Sequence, residues 1–85
     1  MTRDEISAVV KDELLRIAPE IDLDAIDAGA DLRDEADIDS MDFLNFITAL
    51  HERLAVDIPE ADSHRLISLN GALDYLAGKL GAQGG

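Results

Sequence analysis

Cysteine is absent from this 85-residue chain. Its absence removes disulfide frameworks and cysteine-ligated metal sites, and it fits a reducing compartment, so a cytoplasmic protein is expected. Any thiol the protein works with must therefore arrive on a cofactor. Aromatic residues make up only 4% of the chain, so its core must be aliphatic. Positive charge is also scarce: 7 Lys and Arg stand against 19 Asp and Glu, giving a net charge of −12. Nucleic acid and anionic membrane surfaces repel such a chain, whereas basic patches on other proteins attract it. No apolar run approaches the roughly 20 residues that a membrane span needs, and Met1-Thr2-Arg3-Asp4 does not open a signal peptide.

The residues that are present suffice for one small core. Hydrophobic residues are 47% of the total, and two domains of half this length would each lack a core. Residues 1–85 are therefore expected to form a single domain, ordered over about 2–80, with 81–85 as a flexible tail.

Thr2-Arg3-Asp4-Glu5 has the form of a capping box, with Met1 and Ile6 as a hydrophobic staple, and predicts a helix start. Ile6, Val9, Val10, Leu14 and Ile17 then recur at helical spacing until Pro19 stops them. From residue 18 to 38 the period breaks down. Leu23 to Ile26 allows a single turn behind Asp22, and the scattered apolar residues are expected to pin this long loop across the end of a bundle.

The second main helix is expected from Ser40 to about Ala55. Phe43, Leu44, Phe46, Ile47, Leu50 and Leu54 share one face, while Met41, Asp42, Asn45, Thr48, Ala49 and Glu52 fall opposite. Val56 to Pro59 reads as a tight connection, and Glu60 to Leu66 as a short helix opened by Pro59. Ser68 caps a last helix carrying Leu69, Leu73, Leu76 and Leu80, which Gly71 weakens by about 1 kcal/mol and Gly81 ends. The expected fold is all-α: a small antiparallel bundle of three main helices plus one short helix, with a long loop between the first and second helices.

Catalytic chemistry finds little support. His51 lies about 16 Å along the helix axis from Ser40, out of hydrogen-bond reach, and no Gly-x-Ser-x-Gly elbow is present. The acidic run through Asp34, Glu35, Asp37, Asp39 and Asp42 fails as a calcium loop, because Met41 stands at a ligand position and the loop glycine is missing. Glycine-rich nucleotide loops are absent too. No metal site and no enzyme activity follow. What stands out is Asp39-Ser40-Met41 at the start of the most amphipathic helix. It offers either an ordinary cap, since both Asp and Ser accept from first-turn N–H groups, or a surface hydroxyl that another enzyme can reach.

The combination of Asp39-Ser40-Met41, Ile58-Pro59-Glu60 and Leu73-Asp74-Tyr75-Leu76, at these spacings and in this helix order, resembles the acyl carrier protein family from about Arg3 to Leu80. The resemblance implies that a phosphopantetheinyl transferase attaches 4′-phosphopantetheine, taken from coenzyme A, to Ser40. The arm's thiol would then hold an acyl group as a thioester. It further implies that Asp39 guides the transferase and that Met41, Asp42, Thr48 and Glu52 dock partner enzymes. These partners would be acyl-activating enzymes, synthases or acyltransferases with basic patches, meeting a monomeric carrier. Phe46, Leu50, Ile58 and Leu66 would line a seam for the acyl chain.

Two departures point to a specialised lipid or secondary-metabolite pathway rather than housekeeping fatty acid synthesis. Ala36-Asp37 stands where the family has Leu-Gly, and Asn45, His51 and Arg53 occupy positions usually held by carboxylates. A peptidyl or aminoacyl carrier shares the fold and serine, but its usual Gly-Gly is not matched by Asp37-Ile38. An unmodified helical interaction module is the remaining alternative.

Overall fold

A computed structural model describes residues 2–81, all of whose regular elements are helical. The order is α1 (Arg3–Ile17), α2 (Leu32–Glu35), α3 (Ser40–Leu54), a 3-10 helix (Glu60–Leu66) and α4 (Leu69–Leu80). The expected staple from Met1 and the tail beyond Gly81 lie outside the described residues.

Each main helix has its own start and stop signals. At α1 the capping box is complete: the Glu5 N–H donates to the Thr2 hydroxyl (3.2 Å), and the Thr2 N–H donates to the Glu5 carboxylate (2.9 Å). Hydrogen bonding from the Thr2 N–H, and then from the Thr2 hydroxyl, holds the Glu5 carboxyl below its ordinary value. At α4 the Ser68 hydroxyl accepts from Gly71 (3.0 Å), and Gly81 takes the left-handed conformation (φ 63°) that ends the helix. α3 ends on Ala55, also left-handed at φ 52°.

The core is aliphatic, as the composition requires. Ile6, Val10 and Leu14 of α1 meet Phe46, Leu50 and Leu54 of α3 and Leu69 and Leu76 of α4. α1 packs on both α3 and α4, and the 3-10 helix packs on α4. An ion-pair cluster joins α1 to α3: Arg53 donates to Asp12 (2.5 Å) and to the buried Glu13 (2.8 Å).

Three expectations about the pattern need correction. First, the acidic linker is not wholly irregular, because Asp31 caps the short helix α2. Its carboxylate accepts from the Arg33 guanidinium (3.1 and 2.7 Å) and from the Arg33 N–H (2.9 Å), which together, the guanidinium most, hold the Asp31 carboxyl below its ordinary value. Second, Leu44 is 50% exposed. It sits roughly 100° around α3 from the centre of the buried arc, at 100° per residue, at an edge that no helix covers. Third, α4 buries Ala72 and Tyr75 along with Leu69 and Leu76, leaving Leu73 and Leu80 only half-buried. The 3-10 helix draws that face around: the Tyr75 hydroxyl donates to Asp62 (2.7 Å).

Tertiary hydrogen bonds tie down the long loop. The Leu32 N–H donates to the Ile67 carbonyl (2.7 Å), and the Asn70 N–H donates to the Ala28 carbonyl (2.9 Å). Leu32 and Ile38 are buried, with Leu23, Ile26 and Ala28 packed against them. The anticipated turn after Asp22 forms, its carboxylate accepting from Asp24 (3.1 Å) and its carbonyl from Ala25 (3.0 Å). This anchored loop delivers the chain to the start of α3.

Candidate functional site

The turn into α3 is shaped by the end of α2. Ala36 bonds back to the Leu32 carbonyl (2.9 Å), Ile38 reaches back to Arg33 (3.0 Å), and Asp37 between them is left-handed at φ 53°. This is the pattern of a Schellman stop, for which glycine is the usual residue and Asp a tolerated one. Ile38 is then buried, and the chain emerges with Asp39 and Ser40 exposed. The departure at Asp37 noted in the sequence therefore falls on a position with a specific backbone demand.

The choice between two caps is resolved by geometry. Asp39 is the N-cap: its carboxylate accepts from the Asp42 N–H at 2.8 Å, and its carbonyl accepts from Phe43 at 3.0 Å. Ser40 is the first residue of α3. Among the described residues nothing hydrogen-bonds to its hydroxyl. The N–H groups of Ser40 and Met41, which precede the first intrahelical bonds, are open at the positive end of a 15-residue helix. Position 40 thus presents a free primary alcohol beside two free donors.

Around it, the remaining predicted site residues separate into three groups. Met41 is 69% exposed and, with Leu44 three residues on, makes an apolar pair in an otherwise polar surface. Sequence reasoning assigned Leu44 to the core, because periodicity cannot tell which edge of an apolar face its neighbours leave open. Thr48 and Glu52 continue along the exposed side, while Asp42 is half-buried in the first turn. Of the four residues expected at the acyl seam, Phe46, Leu50 and Leu66 are 1%, 0% and 0% exposed and lie within the core. Ile58 lines an open groove of about 300 Å³. The α3 wall of that groove is Leu44, Ile47, Thr48 and His51. Across from it, Glu60 and Ser63 of the 3-10 helix join Ile58.

His51 is not brought to Ser40. Its Nδ1 bonds the Val56 carbonyl at 2.6 Å, helping to lock the end of α3. Among the described residues no helix is long and apolar enough to cross a membrane.

Comparison with known proteins agrees with this geometry. A family described as the phosphopantetheine attachment site matches residues 5–76. An acyl carrier protein of Campylobacter jejuni subsp. doylei is 32% identical over 75 residues, covering 88% of this chain and 91% of that one. The acyl carrier protein of Lactobacillus acidophilus is 28% identical over 76 residues, covering 89% and 94%. A solution structure described as an acyl carrier protein from Anaplasma phagocytophilum has the same fold, with a TM-score of 0.79 at 24% identity over 93% of this chain and 92% of that one. The chain belongs to the acyl carrier protein family: it is a carrier and not an enzyme, its prosthetic group is 4′-phosphopantetheine, and its partners are of the synthase, acyltransferase and phosphopantetheinyl transferase kinds.

Proposed function

We propose that Ser40 is the attachment point of the phosphopantetheine arm, and that residues 1–85 act as one carrier domain in a dedicated lipid or secondary-metabolite pathway. One observation carries this reading. The Ser40 hydroxyl stands exposed and unbonded at the first position of α3, because Asp39 and not Ser40 caps the helix.

The local chemistry fits a phosphodiester. The free N–H groups of Ser40 and Met41 and the helix dipole favour a negative charge at this end by about 0.3–1 kcal/mol. Asp39, whose carboxylate the cap holds in place, is positioned for recognition by the transferase. When attached, the arm supplies the thiol that carries an acyl group as a thioester. The protein's own task is to hold the anchor still. α3 is capped at its start and locked at its end by His51, and Arg53 binds it to α1.

The same reading assigns docking to the exposed side of α3. Met41 supplies an apolar contact, Asp42 and Glu52 supply negative charge, and Thr48 lies between them. Leu44 joins this set on the strength of its exposure. Phe46, Leu50 and Leu66 would back an acyl seam whose accessible wall is Ile58. The specialised pathway rests on Asn45, His51 and Arg53 replacing carboxylates along α3, with Arg53 engaged by α1. A monomer in the cytoplasm is in keeping with the strong negative charge and the lack of cysteine.

The test is direct. The purified protein is incubated with coenzyme A and a broad-specificity phosphopantetheinyl transferase, then weighed intact. One phosphopantetheine is expected on the wild type and none on Ser40→Ala, which stays helical. A wild-type chain that stays unmodified while a known carrier is loaded alongside overturns the assignment.

A further inference from the structure

The groove beside α3 is not lined as a channel for a purely aliphatic chain would be. Its apolar residues, Leu44 and Ile47 of α3 and Ile58 opposite, share it with His51, Glu60 and Ser63. Thr48, also on the wall, is satisfied internally, its hydroxyl donating to the Leu44 carbonyl (3.0 Å). The other polar groups are not. His51 uses only Nδ1 in its bond to Val56. Among the described residues the second ring nitrogen of His51, the Glu60 carboxylate and the Ser63 hydroxyl have no protein partner. An alkyl chain laid over them would strip their water and return no hydrogen bond, which is unfavourable.

Position and size limit the occupant further. Leu44 lies one turn from Ser40 and His51 about 16 Å along the axis, so on the α3 wall the apolar residues come first and the imidazole last. At about 300 Å³, the groove holds on the order of ten water-sized groups at roughly 30 Å³ each. Phe46, Leu50 and Leu66 are buried in the core and do not line the groove. The unpartnered groups are rich in acceptors, since a carboxylate accepts only and a hydroxyl and an imidazole can each accept.

Resting on the reading of Ser40 as the anchor, we propose that the cargo is an acyl chain with a hydrogen-bond donor, such as a hydroxyl, along its length, and that His51, Glu60 and Ser63 determine this preference. The chain's methylenes lie on Leu44, Ile47 and Ile58. The donor meets the acceptors beyond them.

The experiment loads the wild type separately with octanoyl- and 8-hydroxyoctanoyl-phosphopantetheine, using a transferase and the corresponding acyl-coenzyme A. Intact mass confirms loading; amide chemical shifts and the thermal midpoint are then recorded. The hydroxylated cargo is expected to move the amide signals of His51, Glu60 and Ser63 and to raise the midpoint above the octanoyl form by about 4–8 °C, the effect of one added hydrogen bond in a domain of this size. In the double variant Glu60→Ala, Ser63→Ala that difference should shrink by at least half. Equal midpoints and equal shifts for the two cargoes overturn the proposal, as does a larger effect from octanoyl. An 8-aminooctanoyl cargo behaving like the hydroxylated one supports a donor preference, whereas one behaving like octanoyl overturns it. Failure to load any cargo is a separate result, read by mass before any shift is measured, and it strikes the anchor assignment instead.

Discussion

Asp39 and Ser40 are adjacent, both exposed, and both of a type that caps helices, yet the structure gives them different roles that a pair of substitutions can separate. Asp39→Ala removes the carboxylate that accepts from Asp42 at 2.8 Å. Loss of such a cap costs about 1 kcal/mol, and 1 kcal/mol corresponds to roughly 4–8 °C in the thermal midpoint of a domain this small. Ser40→Ala removes a hydroxyl with no partner and places the best helix former at the first helical position. Its expected effect is within about 0.5 kcal/mol of zero. Asp39→Asn keeps an accepting oxygen in the cap, so it should retain most of the stability while losing the charge offered to the transferase. The assay is thermal and urea unfolding followed by helical circular dichroism, with phosphopantetheine loading measured on the same samples. The expected pattern is reciprocal: Asp39→Ala is destabilised, Ser40→Ala is stable but cannot be loaded, and Asp39→Asn is stable and loaded slowly. If Ser40→Ala loses as much stability as Asp39→Ala, the hydroxyl is part of the cap and the reasoning fails.

Gly71→Ala should destabilise, against its helix propensity, because the added Cβ would lie 2.6 Å from the Arg65 carbonyl oxygen. A cost of about 1–3 kcal/mol is expected for such crowding, and a raised urea midpoint would contradict it. Ala55→Gly should stabilise by about 1 kcal/mol, since residue 55 is left-handed at φ 52° and only glycine adopts that conformation without penalty; urea unfolding reads it. Tyr75 gives a pH dependence. Burial first, and the Asp62 carboxylate second, push its phenol up from 10.0 to about 12. The folded state therefore keeps a proton that the unfolded chain releases. This contribution to stability is complete below pH 10 and lost as pH rises from about 10 to 12. Tyr75→Phe should flatten the decline, and an absorbance titration placing the phenol near its ordinary value would refute the account.

Much of this molecule is written locally. Thr2, Glu5, Pro19, Ser68 and Gly81 mark helix ends by interactions within a few residues, so they could be read without a fold. The apolar period of α1 and α3 likewise identifies which helices exist. The candidate serine was legible too, because Asp39-Ser40 at a helix start is a local pattern and Pro59 and Tyr75 stand at informative distances along the chain. α2 was missed because four residues are too few to display a period, and its cap is made by an Asp among many in an acidic run. Gly71 was misjudged for a different reason. Its propensity cost is local, but its purpose is the approach of the Arg65 carbonyl, six residues back and on another element.

The sequence by itself determined the class of the protein, its three main helices, the short helix after Pro59 and the candidate serine, since each depends on composition, short-range hydrogen bonding or periodicity. Tertiary structure decided which of two adjacent residues is a cap and which is free. It also decided that Leu44 faces outward, and that Phe46, Leu50 and Leu66 are buried in the core while Ile58 borders an open groove. Those outcomes depend on which neighbour covers each face. Such coverage is a relation between distant segments, held here by bonds such as Leu32 to Ile67 and Asn70 to Ala28, and no window of residues contains it.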